Sequence, residues 1–111
     1  MNTKIITDST SDLPQSIADK LGITIIPLYV LFGKETYRDR IDISEDGFYK
    51  RLIEGPIHPT TSQPSPQDFI KVYDELSKGA NGIISIHISS KLSGTCSSAW
   101  HAAKNSFACP V

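Results

Sequence analysis

The stretch from Ile83 to Ala103, IISIHISSKLSGTCSSAWHAA, decides the fold class, because one short run contains the signals of a strand, a loop and a helix. Its first six residues, IISIHI, are rich in β-branched side chains and predict a buried strand. Hydroxyl residues and Gly94 follow in the segment SSKLSGT. Cys96, Ala99 and Ala103 then recur at helical spacing, so the stretch predicts strand, polar loop and helix in that order.

The predicted start of this helix is a candidate binding site for an anion. A helix begins with free backbone N–H groups and with the positive end of its dipole, and both face the preceding loop. Ser93, Gly94 and Thr95 lie where an anion would be received. The simpler interpretation is that Ser93 only caps the helix, and the local pattern leaves both interpretations open.

The N-terminal residues repeat the order of strand, hydroxyl segment and helix. Lys4 to Thr7 are β-prone and predict a short strand, which the segment DSTSD, residues 8–12, follows. Ser11 or Asp12 is predicted to cap the next helix, with Pro14 tolerated in its first turn. The predicted apolar face of that helix consists of Leu13, Ile17, Ala18 and Leu21.

The most apolar run in the chain, ITIIPLYVLF at residues 23–32, predicts a strand because β-branched and aromatic residues dominate it. Pro27 lies inside the run, and a central strand rarely tolerates proline, so we expect an edge position or a bulge there. Gly33 and Lys34 then turn the chain, and residues 35–39 are expected to pair back as a short second arm.

Two further helices are predicted in the middle of the chain. The first begins at Ser44, with acidic residues in its first turn, and ends at Gly55. Its predicted inward residues are Phe48, Leu52 and Ile53. The second follows a loop rich in proline and hydroxyls, residues 57–66, with Ser65 as its cap and Pro66 in its first helical position. Its amphipathic face consists of Phe69, Val72, Tyr73 and Leu76.

This alternation predicts an α/β domain with a largely parallel sheet flanked by helices. Ligands of such sheets bind outside the carboxyl ends of the strands. The DSTSD and SSKLSGT segments both leave predicted carboxyl ends, and the TTSQPS segment, residues 60–65, is expected to reach the same edge. Residues 107–111 read as a loop followed by the first apolar residue of another strand, so we expect residues 1–111 to be one α/β domain at the front of a longer protein.

The composition excludes several classes of protein. Hydrophobic residues make up 39% and charged residues 21%, as in a soluble globular domain, and the net charge of -1 offers no footprint for nonspecific nucleic-acid binding. No apolar run approaches the roughly 20 residues needed to span a bilayer. Two cysteines and an N-terminus without signal-peptide layout favour the cytoplasm.

Motifs of catalysis and cofactor binding are missing from the sequence. It has no G-x-S-x-G elbow, no P-loop and no G-x-G-x-x-G, and its cysteines lack zinc-site spacing. His87 is predicted to be a packed core residue and His101 a surface or packing residue. We therefore expect no enzyme activity, no metal and no cofactor. The hydroxyl-rich segments suit a carboxylate or a phosphate equally well.

Three motifs in order carry a resemblance to a known family. They are DSTSDL at residues 8–13, TSQPS at residues 61–65 and LSGT at residues 92–95. Together they resemble the DegV family, which includes the fatty-acid-binding subunit of the bacterial fatty acid kinase. The resemblance covers essentially the whole chain, although members of the family are more than twice as long. It implies that residues 1–111 are the N-terminal α/β domain of a two-domain fold.

The resemblance also implies a function without catalysis. A DegV protein holds a long-chain fatty acid in a buried tunnel, and a separate kinase phosphorylates the carboxylate to an acyl phosphate. By motif position, Thr61 and Ser93 would bind the carboxylate. Ser62, Gly94 and Thr95 are further candidates for head-group contacts. The acyl chain would run along apolar groups such as those of residues 23–32 and 83–88.

Two functions of different classes stay open. The first is the fatty-acid carrier, and the second is an enzyme or binder of a polar anionic small molecule, bearing phosphate or carboxylate, at the same loops. We also expect the 111-residue chain to self-associate or to fold only marginally, and to hold fatty acid much more weakly than a full-length protein. The reason is that a longer protein would cover an apolar strip and the sheet edge beyond Val111.

Overall fold

The computed structural model describes residues 2–111 and contains six strands and four helices within that range. Their bounds, in chain order, are β1 (Thr3–Asp8), a 3-10 turn (Ser9–Ser11), α1 (Gln15–Leu21), β2 (Ile23–Ile26), β3 (Tyr29–Phe32), β4 (Glu35–Arg38), α2 (Glu45–Glu54), β5 (Thr60–Ser62), α3 (Pro66–Ser77), β6 (Gly82–Ile86) and α4 (Thr95–Ala103).

The first sheet is parallel and has the strand order β2-β1-β6. From β1, one helical connection leads to β2 on one side, and the later connection through α3 leads to β6 on the other. The topological switch point therefore lies between β1 and β6, and ligands of α/β sheets bind at this place. The predicted α/β class with a parallel sheet flanked by helices is confirmed.

The core lies between this sheet and the helices α3 and α4. Phe69 and Tyr73 of α3 are fully buried and pack against Ile6, Ile83 and residues of α4. The four predicted face residues of α3 all contribute, since Val72 and Leu76 are half-buried beside this cluster. The helical spacing of apolar residues thus predicted correctly which face of α3 is buried.

The second sheet is antiparallel, with the strand order β4-β3-β5, and it corrects two predictions. The apolar run 23–32 is not one strand, because it breaks around Pro27 and its halves belong to different sheets. Residues 60–62, expected in a loop, form β5 and pair with β3. The predicted pairing of residues 35–38 back onto the preceding strand is confirmed by β4.

Two helix starts are those predicted. Ser65 caps α3 through a capping box, in which its side chain accepts from the Asp68 N–H and the Asp68 carboxylate accepts from the Ser65 N–H. Pro66 occupies the first position of the helix. Ser44 caps α2 by accepting a hydrogen bond from the Gly47 N–H at 3.0 Å.

Two other helix starts differ from the prediction. Neither Ser11 nor Asp12 caps α1, which Pro14 precedes without a side-chain cap. Asp8 instead caps the 3-10 turn. Ser93 does not cap α4 either, since the residue at the N-cap is Gly94.

The apolar faces of α1 and α2 are more exposed than predicted. Ala18 is buried, but Leu21 and Ile17 are 64% and 42% exposed. On α2, Phe48 is half-buried, whereas Ile53 is 80% exposed and Leu52 is also exposed. Helical periodicity located these faces, but other parts of residues 2–111 cover little of them.

The chain ends beside the free edge of β6. The Ile83 N–H donates a hydrogen bond of 2.9 Å to the Pro110 carbonyl oxygen, and residues 108–111 are not part of a strand. The start of a further strand at this point stays a prediction. Among the helices of residues 2–111, none has the length and hydropathy of a membrane span.

Candidate functional site

The carboxyl ends of β1 and β6 lie side by side at the switch point. β1 ends at Asp8 and continues into the 3-10 turn Ser9–Ser11. β6 ends at Ile86, and the segment 89–94 then leads to α4. Two of the three hydroxyl-rich segments therefore leave neighbouring strands at the same edge of the sheet, as the sequence predicted.

A cavity of about 350 Å³ lies next to this edge. It brings the hydroxyl residue Ser9 of the first segment together with Thr61 of β5. Its other lining residues are Asp12, Val30, Asp39, Arg40, Glu45, Phe48 and Tyr49. This size falls within the range of small-molecule sites, near its lower end.

The charges around the cavity do not by themselves favour an anion. Three carboxylates, those of Asp12, Asp39 and Glu45, line it together with the guanidinium of Arg40. Arg40 is held in place, since it donates to the Leu13 carbonyl oxygen and its Nη2 lies 3.8 Å from Glu45 Oε1. Recognition of an anion here would therefore depend on local hydrogen bonds rather than on a positive field.

The segment 93–95 is tightly organised at the start of α4. The Ser93 Oγ accepts a hydrogen bond from the Thr95 N–H at 3.2 Å and lies 3.0 Å from the Thr95 Oγ1. Thr95 is fully buried, and Ser93 is half-buried. The side chain of Gln63 lies so close to Gly94 that a Cβ at this position would come within 2.6 Å of its Nε2.

The structure brings two of the predicted motifs into contact but does not place Thr61 and Ser93 in one described cavity. The TSQPS and LSGT motifs meet where Gln63 contacts Gly94. Thr61 instead lines the cavity beside Ser9, and within residues 2–111 Ser93 is not among the residues that line it. Ser62 is exposed on β5 opposite Tyr29.

A buried chain of hydrogen bonds lies under the ends of β1 and β6. The Tyr73 hydroxyl donates to the Ser85 Oγ at 2.7 Å, and the Ser85 Oγ lies 2.5 Å from the His87 Nε2. The His87 Nδ1 contacts the Asp8 carboxylate, and the two side chains are only 2% and 1% exposed. The predicted packing of His87 in the core is confirmed, and its ring meets Phe69 edge to face.

The environment of Asp8 favours its ionised form. Burial works to raise the pKa of this carboxyl, but hydrogen bonds from His87 and Thr10 outweigh it, so the pKa lies below its ordinary value. Burial raises the pKa of Tyr73, with the hydrogen bond to Ser85 acting in the opposite direction. Asp8 is thus a buried carboxylate with its hydrogen bonds satisfied.

Ser85, His87 and Asp8 have the connectivity of a serine-hydrolase triad, but not its access. The Ser85 hydroxyl lies on the face of β6 that α3 covers, and it already accepts a hydrogen bond from Tyr73. Ser85 does not line the cavity that contains Ser9 and Thr61. Nothing in this arrangement brings a substrate carbonyl to the hydroxyl.

A family model described as uncharacterised protein, DegV family, matches residues 2–108. The chain belongs to the DegV family. Among curated relatives, Protein DegV of Bacillus subtilis is 42% identical over 99 residues, which are 89% of this chain and 35% of the relative. This member of the DegV family therefore spans about a third of the length of such relatives.

Solved DegV structures share the fold. A structure from Thermus thermophilus, described as fatty acid binding of a DegV family protein, matches with a TM-score of 0.83 and 47% identity, covering 94% of this chain and 37% of that one. DegV of Bacillus subtilis, described as a fatty acid binding protein, matches with a TM-score of 0.88 and 41% identity at the same coverages. The fold described above thus corresponds to part of the DegV fold.

Sequence reasoning missed three residues at this edge of the DegV-type sheet. Asp8 and Ser9 lie in a motif that was singled out, but only for its hydroxyls, while Asp8 supplies the buried carboxylate and Ser9 lines the cavity. Arg40 lies in a turn, residues 39–42, that fits the family resemblance, but no role was predicted for its side chain. Among residues 2–111, no cluster of His, Cys, Asp and Glu could hold a metal ion.

Proposed function

We propose that this chain forms part of a cytoplasmic, non-catalytic carrier that binds a long-chain fatty acid and presents its carboxylate to a separate kinase. The kinase would convert the carboxylate to an acyl phosphate. The observation that carries the proposal is the meeting of hydroxyl segments at the switch point, with Ser9 beside Thr61 and Gln63 against Gly94. The fatty-acid-binding descriptions of the DegV structures support the class of ligand.

In this proposal the head group is bound by hydroxyls and backbone N–H groups. Thr61 and Ser93 donate to the carboxylate, with Ser62, Thr95 and the Gly94 N–H as further donors. Support comes from the position of Ser93 and Gly94 at the start of a nine-residue helix, where the dipole favours a negative charge. The carboxylates that line the cavity outnumber its one arginine, so in this proposal the binding of the anion depends on these hydrogen bonds.

The acyl chain is proposed to lie along apolar residues near the cavity. Val30, from the run 23–32, lines the cavity together with the rings of Phe48 and Tyr49. Each methylene removed from water contributes about 0.8 kcal/mol, so a long chain gains most of its affinity from such walls. Because this chain spans about a third of its relatives, the remaining walls would belong to the rest of a longer protein.

Phosphorylation is assigned to a partner because the sequence has no P-loop and no G-x-G-x-x-G motif that would bind a nucleotide as phosphoryl donor. The one Ser–His–Asp arrangement described above is buried and fully engaged. A carrier needs no such groups, since its carboxylate ligand can itself be the phosphoryl acceptor of a kinase. The proposed kinase is a separate protein with a dihydroxyacetone-kinase-like domain.

The head-group assignment is tested by titrating palmitate into the parent chain and into Thr61→Ala and Ser93→Ala. Each variant removes a hydrogen bond to a charged group, so we expect about tenfold weaker binding or more. Ser97→Ala is the matched control, because Ser97 is an exposed hydroxyl on α4 and should leave the affinity unchanged. If both variants bind palmitate as the parent does, the assignment is wrong.

Native mass spectrometry of the purified chain tests the class of ligand. A co-purifying long-chain fatty acid supports the carrier. A polar phosphate- or carboxylate-bearing molecule in its place would support the alternative, an enzyme or binder that uses the same loops.

A further inference from the structure

Side-chain contacts continue the pairing of β1 with β6 beyond the point where the backbone pairing of the two strands ends. Thr7 and Ile86 form its last registered pair, and the Thr7 Oγ1 donates to the Ile86 carbonyl oxygen at 2.9 Å. One residue further along both strands, the His87 Nδ1 contacts the Asp8 carboxylate. This contact ties the two strand ends together at the point where both hydroxyl segments depart.

On the β1 side, Asp8 connects its contact with His87 to the first hydroxyl segment. The Asp8 Oδ1 accepts from the Thr10 N–H at 2.9 Å and from the Thr10 hydroxyl, which holds the 3-10 turn in place. In the same turn, the Ser9 Oγ accepts from the Leu28 N–H at 3.1 Å, and Ser9 lines the cavity with Thr61. The position of the Asp8 carboxylate therefore sets the position of the 3-10 turn, which lines the cavity through Ser9.

On the β6 side, polar contacts at both ring nitrogens hold the ring of His87. The Ser85 Oγ accepts a hydrogen bond from the Tyr73 hydroxyl and contacts the His87 Nε2. The His87 Nδ1 faces the ionised carboxylate of Asp8, which can only accept, so Nδ1 is the donor in this contact. The ring of Phe69 packs edge to face against the ring of His87, with 5.1 Å between the ring centroids.

We propose that His87 is a positioning residue that fixes the 3-10 turn relative to the segment 89–94, and thereby the geometry of the head-group site. The link to ligand affinity rests on the proposed function, whereas the positioning of the turn does not. His87 itself is buried beneath the site and is assigned no contact with ligand. Its role is exerted through the Asp8 carboxylate, which faces it from β1, and is supported by Tyr73 from α3.

Two substitutions of His87 separate positioning from simple packing. In His87→Asn, the amide nitrogen takes the place of Nδ1 and can still donate to Asp8. In His87→Gln, the polar atoms take the place of Nε2 and face Ser85, so that the donor to Asp8 is lost. Both variants replace the ring by a smaller side chain, so a packing role predicts similar losses from the two.

The first measurement is hydrogen exchange of the Thr10 and Leu28 amides by NMR in the 111-residue chain. Both amides donate to side chains of the tied segment, so we expect their exchange to be about tenfold or more faster in His87→Gln than in His87→Asn. Core amides such as that of Tyr73 provide the reference for global stability. Equal exchange of Thr10 and Leu28 in the two variants, after this correction, would overturn the proposal.

The second measurement is palmitate titration of the same proteins. We expect His87→Gln to bind about tenfold more weakly than the parent and His87→Asn to stay within about threefold of it. Equal affinities in both variants would overturn the link between His87 and the head-group site. If the parent itself binds no palmitate, the proposed function fails, and the amide exchange still decides whether His87 positions the turn.

Discussion

The two faces of β6 differ sharply in exposure, although their side chains alternate along a single strand. Ile83, Ser85 and His87 point towards α3 and α4, and Ile83 is 5% exposed while the side chain of His87 is 2% exposed. Ile84 and Ile86 point to the opposite face and are 52% and 55% exposed. A strand's side chains alternate with a period of two, so this contrast arises from what covers each face and not from the strand itself.

A covered face is usually apolar and an exposed face polar, but the two faces of β6 show the opposite. The covered face carries a serine and a histidine, whose hydrogen bonds are satisfied by Tyr73 and Asp8. The open face of β6 carries isoleucines. Parallel strands with apolar residues on both faces are typical of sheets covered on both sides. The open face of β6 is thus an apolar surface that the rest of residues 2–111 leaves uncovered.

The largest effect is expected from the comparison of two neighbouring isoleucines. Ile83→Ala should lower the free energy of unfolding by about 2–5 kcal/mol, because it leaves a cavity in the core. Ile84→Ala removes the same atoms from the open face, and we expect it to cost less than about 1 kcal/mol. Urea unfolding of both variants measures the difference. Equal costs would mean that something covers Ile84 in solution.

A second, smaller effect concerns the polar network of the covered face. Asp8→Asn removes a buried carboxylate that accepts several hydrogen bonds, so we expect a loss of about 1.5–3 kcal/mol at neutral pH. The pKa of Asp8 is lower in the folded chain than in the unfolded one. Its contribution to stability is therefore fully present above the unfolded pKa of about 3.9 and is lost as the pH falls through the folded pKa.

The measurement is the free energy of unfolding of the parent and of Asp8→Asn between about pH 6 and about pH 2. The difference between the two should shrink below about pH 4. Asp42→Asn is the control, because the pKa of Asp42 is also lowered, by hydrogen bonds from Arg38, but on the surface where salt screens the pair. A constant difference for Asp8→Asn across this range would contradict its lowered pKa.

The sequence predicted those features whose causes are local. Ser65 and Pro66 start α3 because cap, first-turn proline and Asp68 lie within one turn. The apolar spacing of α3 and the strand–loop–helix order of residues 83–103 were equally reliable, apart from the cap of α4. The prediction of one strand for residues 23–32 was wrong because proline interrupts a strand, which is a local effect of Pro27. That the two halves of the run belong to different sheets depends on tertiary structure.

The remainder depends on residues that are distant in sequence. β5 has three hydroxyl residues and no alternation, so only its pairing with β3 defines it as a strand. The contact between Asp8 and His87 joins positions that are 79 residues apart and outside any shared motif. The sequence placed His87 in the core through strand alternation, but the partner that gives it a role appears only in the folded chain. The head-group residues Thr61 and Ser93 stay predictions.

The smallest effect is expected from the open face itself, where a substitution should alter association and leave stability almost unchanged. Ile84 and Ile86 form an apolar surface next to the edge of β6 with which no other strand of residues 2–111 pairs. Such surfaces and edges favour self-association. We therefore expect the scattering of the parent chain to rise with concentration.

Ile86→Thr tests whether the open face drives this association. Threonine keeps the β-branched shape that suits a strand but removes apolar area, so we expect a stability change within about 1 kcal/mol and a lower apparent mass by light scattering. Ile53→Thr is the matched control, because Ile53 is 80% exposed on α2 and lies outside the parallel sheet. An apparent mass that falls equally in both variants would indicate nonspecific association. A parent chain that stays monomeric at all concentrations would contradict the prediction, because the open face of β6 would then stay exposed to solvent without causing association.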